Sequence, residues 1–276
     1  MNTITSQVIL ASGELYPKSN LHPGMMLFGA DSKIHKLRGL TTHKILAFDV
    51  QPQKGKHFLI GFDQKILAFS RHKEPLLLRA TDIRDFSRRF QRNFSLAKVS
   101  LDFPKQELPL DPYVLGLLLA DGSYFKKSCL KSNTKFIPKS YLYADRHSRE
   151  ALLAGLLDTS GFLKEASYDY QTSSVQEAED IAFLARSLGL SVVEGKTLHT
   201  RGIVARLYLH GDFSQLPLRR KIGPPRRKPF HETFKLKPVG VQDILYLDIE
   251  SYVQGDFTVR MGDSQPSISG GAYDNA

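Results

Sequence analysis

A chain of 276 residues with 41% hydrophobic content can build the core of one large domain or two ordinary ones, which excludes a disordered polymer. Its formal net charge of +10 points to a polyanionic partner such as nucleic acid, with solubility as the plainer reading. The single cysteine, Cys129, excludes an internal disulfide framework and a cysteine-rich zinc site. No apolar run approaches the roughly 20 residues that span a bilayer, so no membrane partner is expected. No signal peptide is visible, and the expected location is intracellular, cytoplasm or nucleus.

From the N-terminus, residues 2–70 alternate in the manner of short strands, at 8–10, 25–28, 45–48, 58–60 and 66–69, parted by Ser-Gly, Pro-Gly and Gly-Phe-Asp turns. That pattern predicts an all-β unit with frequent hairpins. An amphipathic helix is expected over 81–94, with Ile83, Phe86, Phe90 and Phe94 on one face and Arg84, Arg88, Arg89 and Arg92 on the other. The basic face suits DNA phosphates, although charged residues are also ordinary on a solvated helix surface.

Asp111-Pro112 opens the first of two related helices. Residues 114–122 read Val-Leu-Gly-Leu-Leu-Leu-Ala-Asp-Gly, and 153–161 read Leu-Ala-Gly-Leu-Leu-Asp-Thr-Ser-Gly. Each run closes on a glycine suited to the left-handed turn after a helix. Each also carries a glycine in its interior, at a cost of roughly 1 kcal/mol relative to alanine. Gly116 with Ala120, and Ala151 with Gly155 and Thr159, set small residues four apart on one face, so the helices are expected to pack almost backbone to backbone. The residues before the closing glycines then meet beside two helix C-termini, where a bound cation would offset both the dipoles and a carboxylate.

A strand followed by a helix is expected over 170–189, capped by Ser173 or Ser174, with Val175, Ala178, Ile181, Ala182, Ala185 and Leu188 on its inner face and Gly189 at its end. Residues 217–237 hold Arg219, Arg220, Lys221, Arg226, Arg227, Lys228, Lys235 and Lys237 against one acid, Glu232. Pro224, Pro225 and Pro229 favour an extended basic linker that contacts phosphates, with a nuclear address signal or plain solvation as the other readings. The Ser- and Gly-rich 262–276 reads as a disordered tail.

The paired motif resembles that of the LAGLIDADG homing endonucleases, in particular those embedded in inteins. The Lys135-Phe136-Ile137-Pro138 block, the Arg186-Ser187-Leu188-Gly189 helix ending and a closing Gly-Asp-Phe-Thr-Val at 255–259 follow in family order. The resemblance implies double-stranded DNA as partner and Mg2+ as cofactor. It makes Asp121, the eighth residue of the first motif, a metal ligand, and sets Lys135 near the scissile phosphate. In the second motif the eighth residue is Ser160, a degenerate acid position, because a hydroxyl replaces a carboxylate poorly as a Mg2+ ligand. The polar segment 123–139 is too short for the strands that follow a complete first repeat.

The flanks resemble the Hint domain, the self-splicing fold of inteins. The implied fold is a mainly β, horseshoe-shaped Hint-like domain with an inserted α+β LAGLIDADG endonuclease domain truncated in its first repeat. The expected division is 1–108 Hint-like, 109–210 endonuclease-like, 211–261 basic linker and Hint-like C-terminal strands, and 262–276 tail. Splicing needs a nucleophile, a polarising His and a cyclising Asn. Their places hold Met1, Gln64 in a Gly61-Phe62-Asp63-Gln64 run, and Met261-Gly262. The functional readings are a Mg2+-dependent endonuclease, impaired at Ser160, a non-cutting DNA-binding descendant, a Hint autoprocessing module or an inert remnant.

Overall fold

The computed structural model describes residues 7–53, 57–70, 75–85, 93–121, 135–165, 167–199, 202–221 and 233–262, the side chains of Asp85, 196–199 and 202–203 excepted. Segments far apart in the sequence pair with each other. Strand β5 (Gly39–Pro52) lies between β6 (Phe58–Gly61) and β14 (Phe234–Asp248), and the β5–β14 ladder runs antiparallel from Pro52↔Phe234 to Gly39↔Asp248. It shifts register between Pro238, which has no N–H to donate, and Gly240, whose φ of 77° suits a glycine.

Small antiparallel units surround this ladder. Strands β1 (Gln7–Ile9) and β2 (Leu15–Pro17) pair, as do β3 (Met26–Phe28) with β4 (Ile34–Lys36) and β15 (Ser251–Val253) with β16 (Val259–Met261). Strand β7 (Lys65–Phe69) is flanked by β8 (Pro75–Arg79) and β9 (Ser95–Leu96). Single bridges from Val8 of β1 to Gln254 and from Lys98, just after β9, to Thr258 tie these units to the β15–β16 hairpin. The expected strands are thus present and the chain is strand-rich, with one cluster built on Phe48, Val50, Ile60 and Ile66 and another on Val8, Leu27, Leu247 and Tyr252.

The first helix, α1 (Ala80–Asp85), buries Ala80 and Ile83 in the cluster of β5 and β7. Phe94 is buried there too, and it stands outside a helix, just before β9. The Phe86, Phe90, Arg88, Arg89 and Arg92 expectations lie outside the described residues.

The largest core joins α2 (Pro112–Ala120), α3 (Lys139–Leu142), α4 (Arg146–Ser160) and α5 (Val175–Ser187) to a four-stranded sheet. Its strands are β10 (Phe162–Lys164), β11 (Ser167–Thr172), β12 (Ser191–His199) and β13 (Gly202–His210), in the order β10-β11-β13-β12. Tyr168 and Tyr170 of β11, Leu207 and Leu209 of β13 and Val192 of β12 point to the helices. Ser174 caps α5 and Gly189 closes it at φ 86°, as expected, and the inner positions are buried except Val175, which is 63% exposed. Val175 is the first residue of the helix and borders an open cleft shared with Ala178, Glu194 and Ala205. Among the described residues no strand lies between α2 and α3.

Arg149 fastens this core to the preceding segment. It is fully buried, donates to the carbonyls of Ala144 and Leu101 and to Ser187 Oγ, and stacks on Phe103 at 4.4 Å. Burial pulls its pKa down to about 10, against Asp102, so it remains charged at neutral pH. Lys235 and Lys237, expected in the linker, belong instead to β14, where cross-strand pairing with Gln51 and Asp49 sets them in the ladder.

Candidate nucleic-acid interface

The two motif helices, α2 and α4, meet through their interior glycines. A Cβ on Gly116 would lie 2.4 Å from Leu152 O, and one on Gly155 would lie 2.2 Å from Tyr113 O. Both clashes are with backbone, so the helices approach as closely as the small-residue pattern implies. Gly161 departs from the expectation. Its φ is −71°, an ordinary extended conformation, and glycine is needed because a Cβ would meet Leu157 O at 2.7 Å.

Below this contact the helix ends converge. Asp121 is the exposed C-terminal cap of α2, and Ser160 Oγ donates to the neighbouring Ala120 O at 3.2 Å. The eighth residues of the two motifs therefore stand side by side. At the end of α4, Lys221 Nζ donates to Thr159 O at 2.9 Å and Gly161 O at 2.6 Å. A positive charge thus already sits on the negative end of this helix.

The strap that carries Lys221 is held by Asp158. This carboxylate, 2% exposed, accepts the backbone N–H of Arg219 (2.7 Å), Arg220 (3.1 Å) and Lys221 (2.9 Å) and the Tyr113 hydroxyl (2.8 Å). Burial pushes its pKa up, but the Arg219 and Lys221 N–H groups, Tyr113 and Arg220 outweigh it, so the pKa falls below the ordinary value and the group is ionised. The Arg219 guanidinium lies 4.1 Å from the Tyr113 ring centre, and Arg219 and Arg220 are exposed. A lone acid inside an apolar Leu-Leu-Asp run signals that it must have partners, which was the available clue to Asp158.

Lys135 is positioned through its backbone. Ser174 Oγ donates to Lys135 O at 2.7 Å, and Ile137 N donates to the buried Asp180 at 2.8 Å. Ser174 in turn belongs to a network in which Thr172 and Tyr170 donate to Glu177. The Tyr170 phenol, driven well above its ordinary pKa by burial and Glu177, also adjoins Ser160. The Lys135 block is therefore tied by hydrogen bonds to β11 and the start of α5.

The outer face of the sheet points away from the helices. It carries Phe162 and Lys164, Asp169 and Gln171, Arg206, Tyr208 and His210, with Phe162, Lys164 and Gln171 exposed. Arg206 Nε lies 2.9 Å from both Asp169 oxygens, Nη2 also bonds Oδ2, and the guanidinium lies 4.8 Å from the Tyr208 ring centre. Sequence reading missed this pair because only the β11–β13 register brings residues so far apart in sequence onto one face.

The other expected contacts fall elsewhere. Arg84 is exposed on α1, which packs in the β5 and β7 cluster and not in the core of the helix pair. Arg226, Arg227 and Lys228 lie outside the described residues. Thr159 packs at the contact with its hydroxyl buried and without a hydrogen-bond partner among the described residues, and Ala120 is half-buried.

Mg2+ takes near-octahedral oxygen ligands, usually including one or two carboxylates. Of the two eighth positions only Asp121 brings one, while Ala120, Thr159 and Gly161 carbonyls already accept from Ser160 and Lys221. Among the described residues no cluster of three His, Cys, Asp or Glu side chains forms. This donor set, with an ammonium inside it, does not fit a divalent ion shared by the two helix ends.

No helix among the described residues is long and apolar enough to cross a membrane. None of the curated proteins matches the chain. Residues 136–205, which run from the Phe136 block through α4, β10, β11 and α5 into β13, match the family model of homing endonucleases, a similarity that makes this part of the chain homing-endonuclease-like and its expected partner DNA.

Proposed function

We propose that the chain is a duplex-DNA-binding protein of LAGLIDADG homing-endonuclease descent on a Hint-like frame, incapable of splicing and without effective Mg2+-dependent cleavage. DNA lies along the outer face of the β10-β11-β13-β12 sheet, and Arg219 and Arg220 contact phosphates beside the helix ends. The family match supports the DNA partner, and the pairing of β5 with β14 around the intervening helices supports the Hint-like frame. The observation that carries binding over cutting is the Lys221 ammonium on Thr159 O and Gly161 O, with Ser160 turned to Ala120 O. An internal cation there neutralises the end of α4 without a metal.

Fluorescence anisotropy of a labelled duplex, with EDTA or with Mg2+, tests this reading. Binding should persist in EDTA, at least as tight as in Mg2+, and should weaken with salt with a log–log slope of roughly −3 or steeper, from Arg219, Arg220 and Lys164. An affinity indifferent to salt, or one that requires Mg2+, contradicts it.

A further inference from the structure

We infer that Arg206 reads a guanine base from the outer face of the sheet and that Asp169 is the positioning residue that aims it; the inference rests on the DNA reading above. Arg206 stands on β13, between β11 and β12, and its guanidinium is fixed from two sides. Asp169 takes Nε and Nη2, and the Tyr208 ring lies under the plane. Nη1 has no hydrogen-bond partner among the described residues, and the Arg206 side chain keeps 34% exposure. The Nη1–Nη2 end of the fork therefore faces outward with two N–H groups to offer.

The neighbours leave room for a base edge. Gly195, opposite Arg206 on β12, brings no side chain, and a Cβ there would meet nothing closer than 3.7 Å. Gln171, opposite on β11, is exposed and adds an amide to the same row. In the major groove guanine presents O6 and N7, two acceptors in one plane, and a forked guanidinium matches them with parallel N–H bonds. A phosphate also accepts a fork, but its attraction rests mainly on charge, which the Asp169 carboxylate beside the guanidinium opposes. The carboxylate also removes the net charge that would make Arg206 a general anchor, leaving its geometry as the useful property.

The test is selection from a randomised duplex library by the full-length protein and by Arg206→Ala, Arg206→Lys and Asp169→Asn variants, each checked for an unchanged thermal melt. The wild-type pool should share a motif with a guanine at one position. Arg206→Ala should lose the preference there by roughly 10-fold or more while the flanking positions persist. Arg206→Lys should keep affinity for unselected duplex yet lose the guanine, because a lysine has no fork. Asp169→Asn should weaken the same position only. The same guanine in the Arg206→Ala pool, or an equal loss on every sequence, would overturn this inference and leave DNA binding standing; a wild-type pool without a motif, and without salt-dependent binding to any duplex, would overturn both.

Discussion

Asp158 and Arg219, far apart in sequence, meet at a 2.7 Å hydrogen bond from the Arg219 backbone N–H to the buried carboxylate. With the Arg220 and Lys221 N–H groups on the same carboxylate, the bond fixes the basic strap against the end of α4. Asp158→Asn should cost about 2 to 4 kcal/mol, because an amide cannot accept from all these donors. Urea denaturation gives the stability, and DNA affinity should fall with it as Arg219 and Arg220 lose their place.

The same carboxylate sets a pH dependence. Its folded pKa is lowered, so its contribution is fully present above the ordinary Asp value of 3.8 and is lost as pH falls through the lower folded value. Stability of the wild type should therefore fall more steeply with acid over that window than stability of Asp158→Asn. Parallel denaturation curves for the two proteins at each pH would contradict this.

Gly116→Ala and Gly155→Ala should each destabilise the fold by about 3 kcal/mol or more, since the added methyl meets the Leu152 or Tyr113 carbonyl and neither can yield without parting the helices. The sign is diagnostic. In a helix without this contact the same change would stabilise by about 1 kcal/mol. A thermal melt separates the two outcomes.

Arg149→Met keeps the side chain's bulk but removes its N–H donors from Ala144 O, Leu101 O and Ser187 Oγ. Leaving those buried acceptors unpaired should cost about 3 to 5 kcal/mol. Because Leu101 lies ahead of the motif helices, hydrogen exchange should rise first in the segment 97–103 and at the start of α4.

A metal should act on a redesigned site and not on the natural one. The wild-type melting temperature should be unchanged by Mg2+, because Lys221 holds the end of α4. Ser160→Asp combined with Lys221→Ala removes that ammonium and sets a second carboxylate beside Asp121, and its melting temperature should rise with Mg2+ by ligand linkage. A Mg2+-dependent rise in the wild type would contradict the assignment of Lys221.

Much of this arrangement was legible in the sequence wherever the signal was local. Two interior glycines at one register, each unfavourable alone, announced the α2–α4 contact, and Asp111, Ser174 and Gly189 marked helix ends that the structure bears out. Gly161 misled because a small residue after a helix serves either a left-handed turn or a close approach, and sequence does not separate them. Phe94 misled because helical spacing set it on the expected apolar face, whereas it is buried outside a helix, directly before β9. The Asp158 strap and the Asp169–Arg206 pair were out of reach, since each joins segments that only the folded topology makes neighbours.

The central claim is binding to duplex DNA without metal-dependent cutting, and it is tested most directly by incubating the wild-type protein with a randomised duplex library in Mg2+ and in EDTA, then sequencing retained and cut DNA separately. The account predicts a retained pool with the same shared motif in both conditions and no motif among cut ends. A cut pool that carries a motif in Mg2+ and vanishes in EDTA would contradict it, and would return Asp121 to the role of metal ligand.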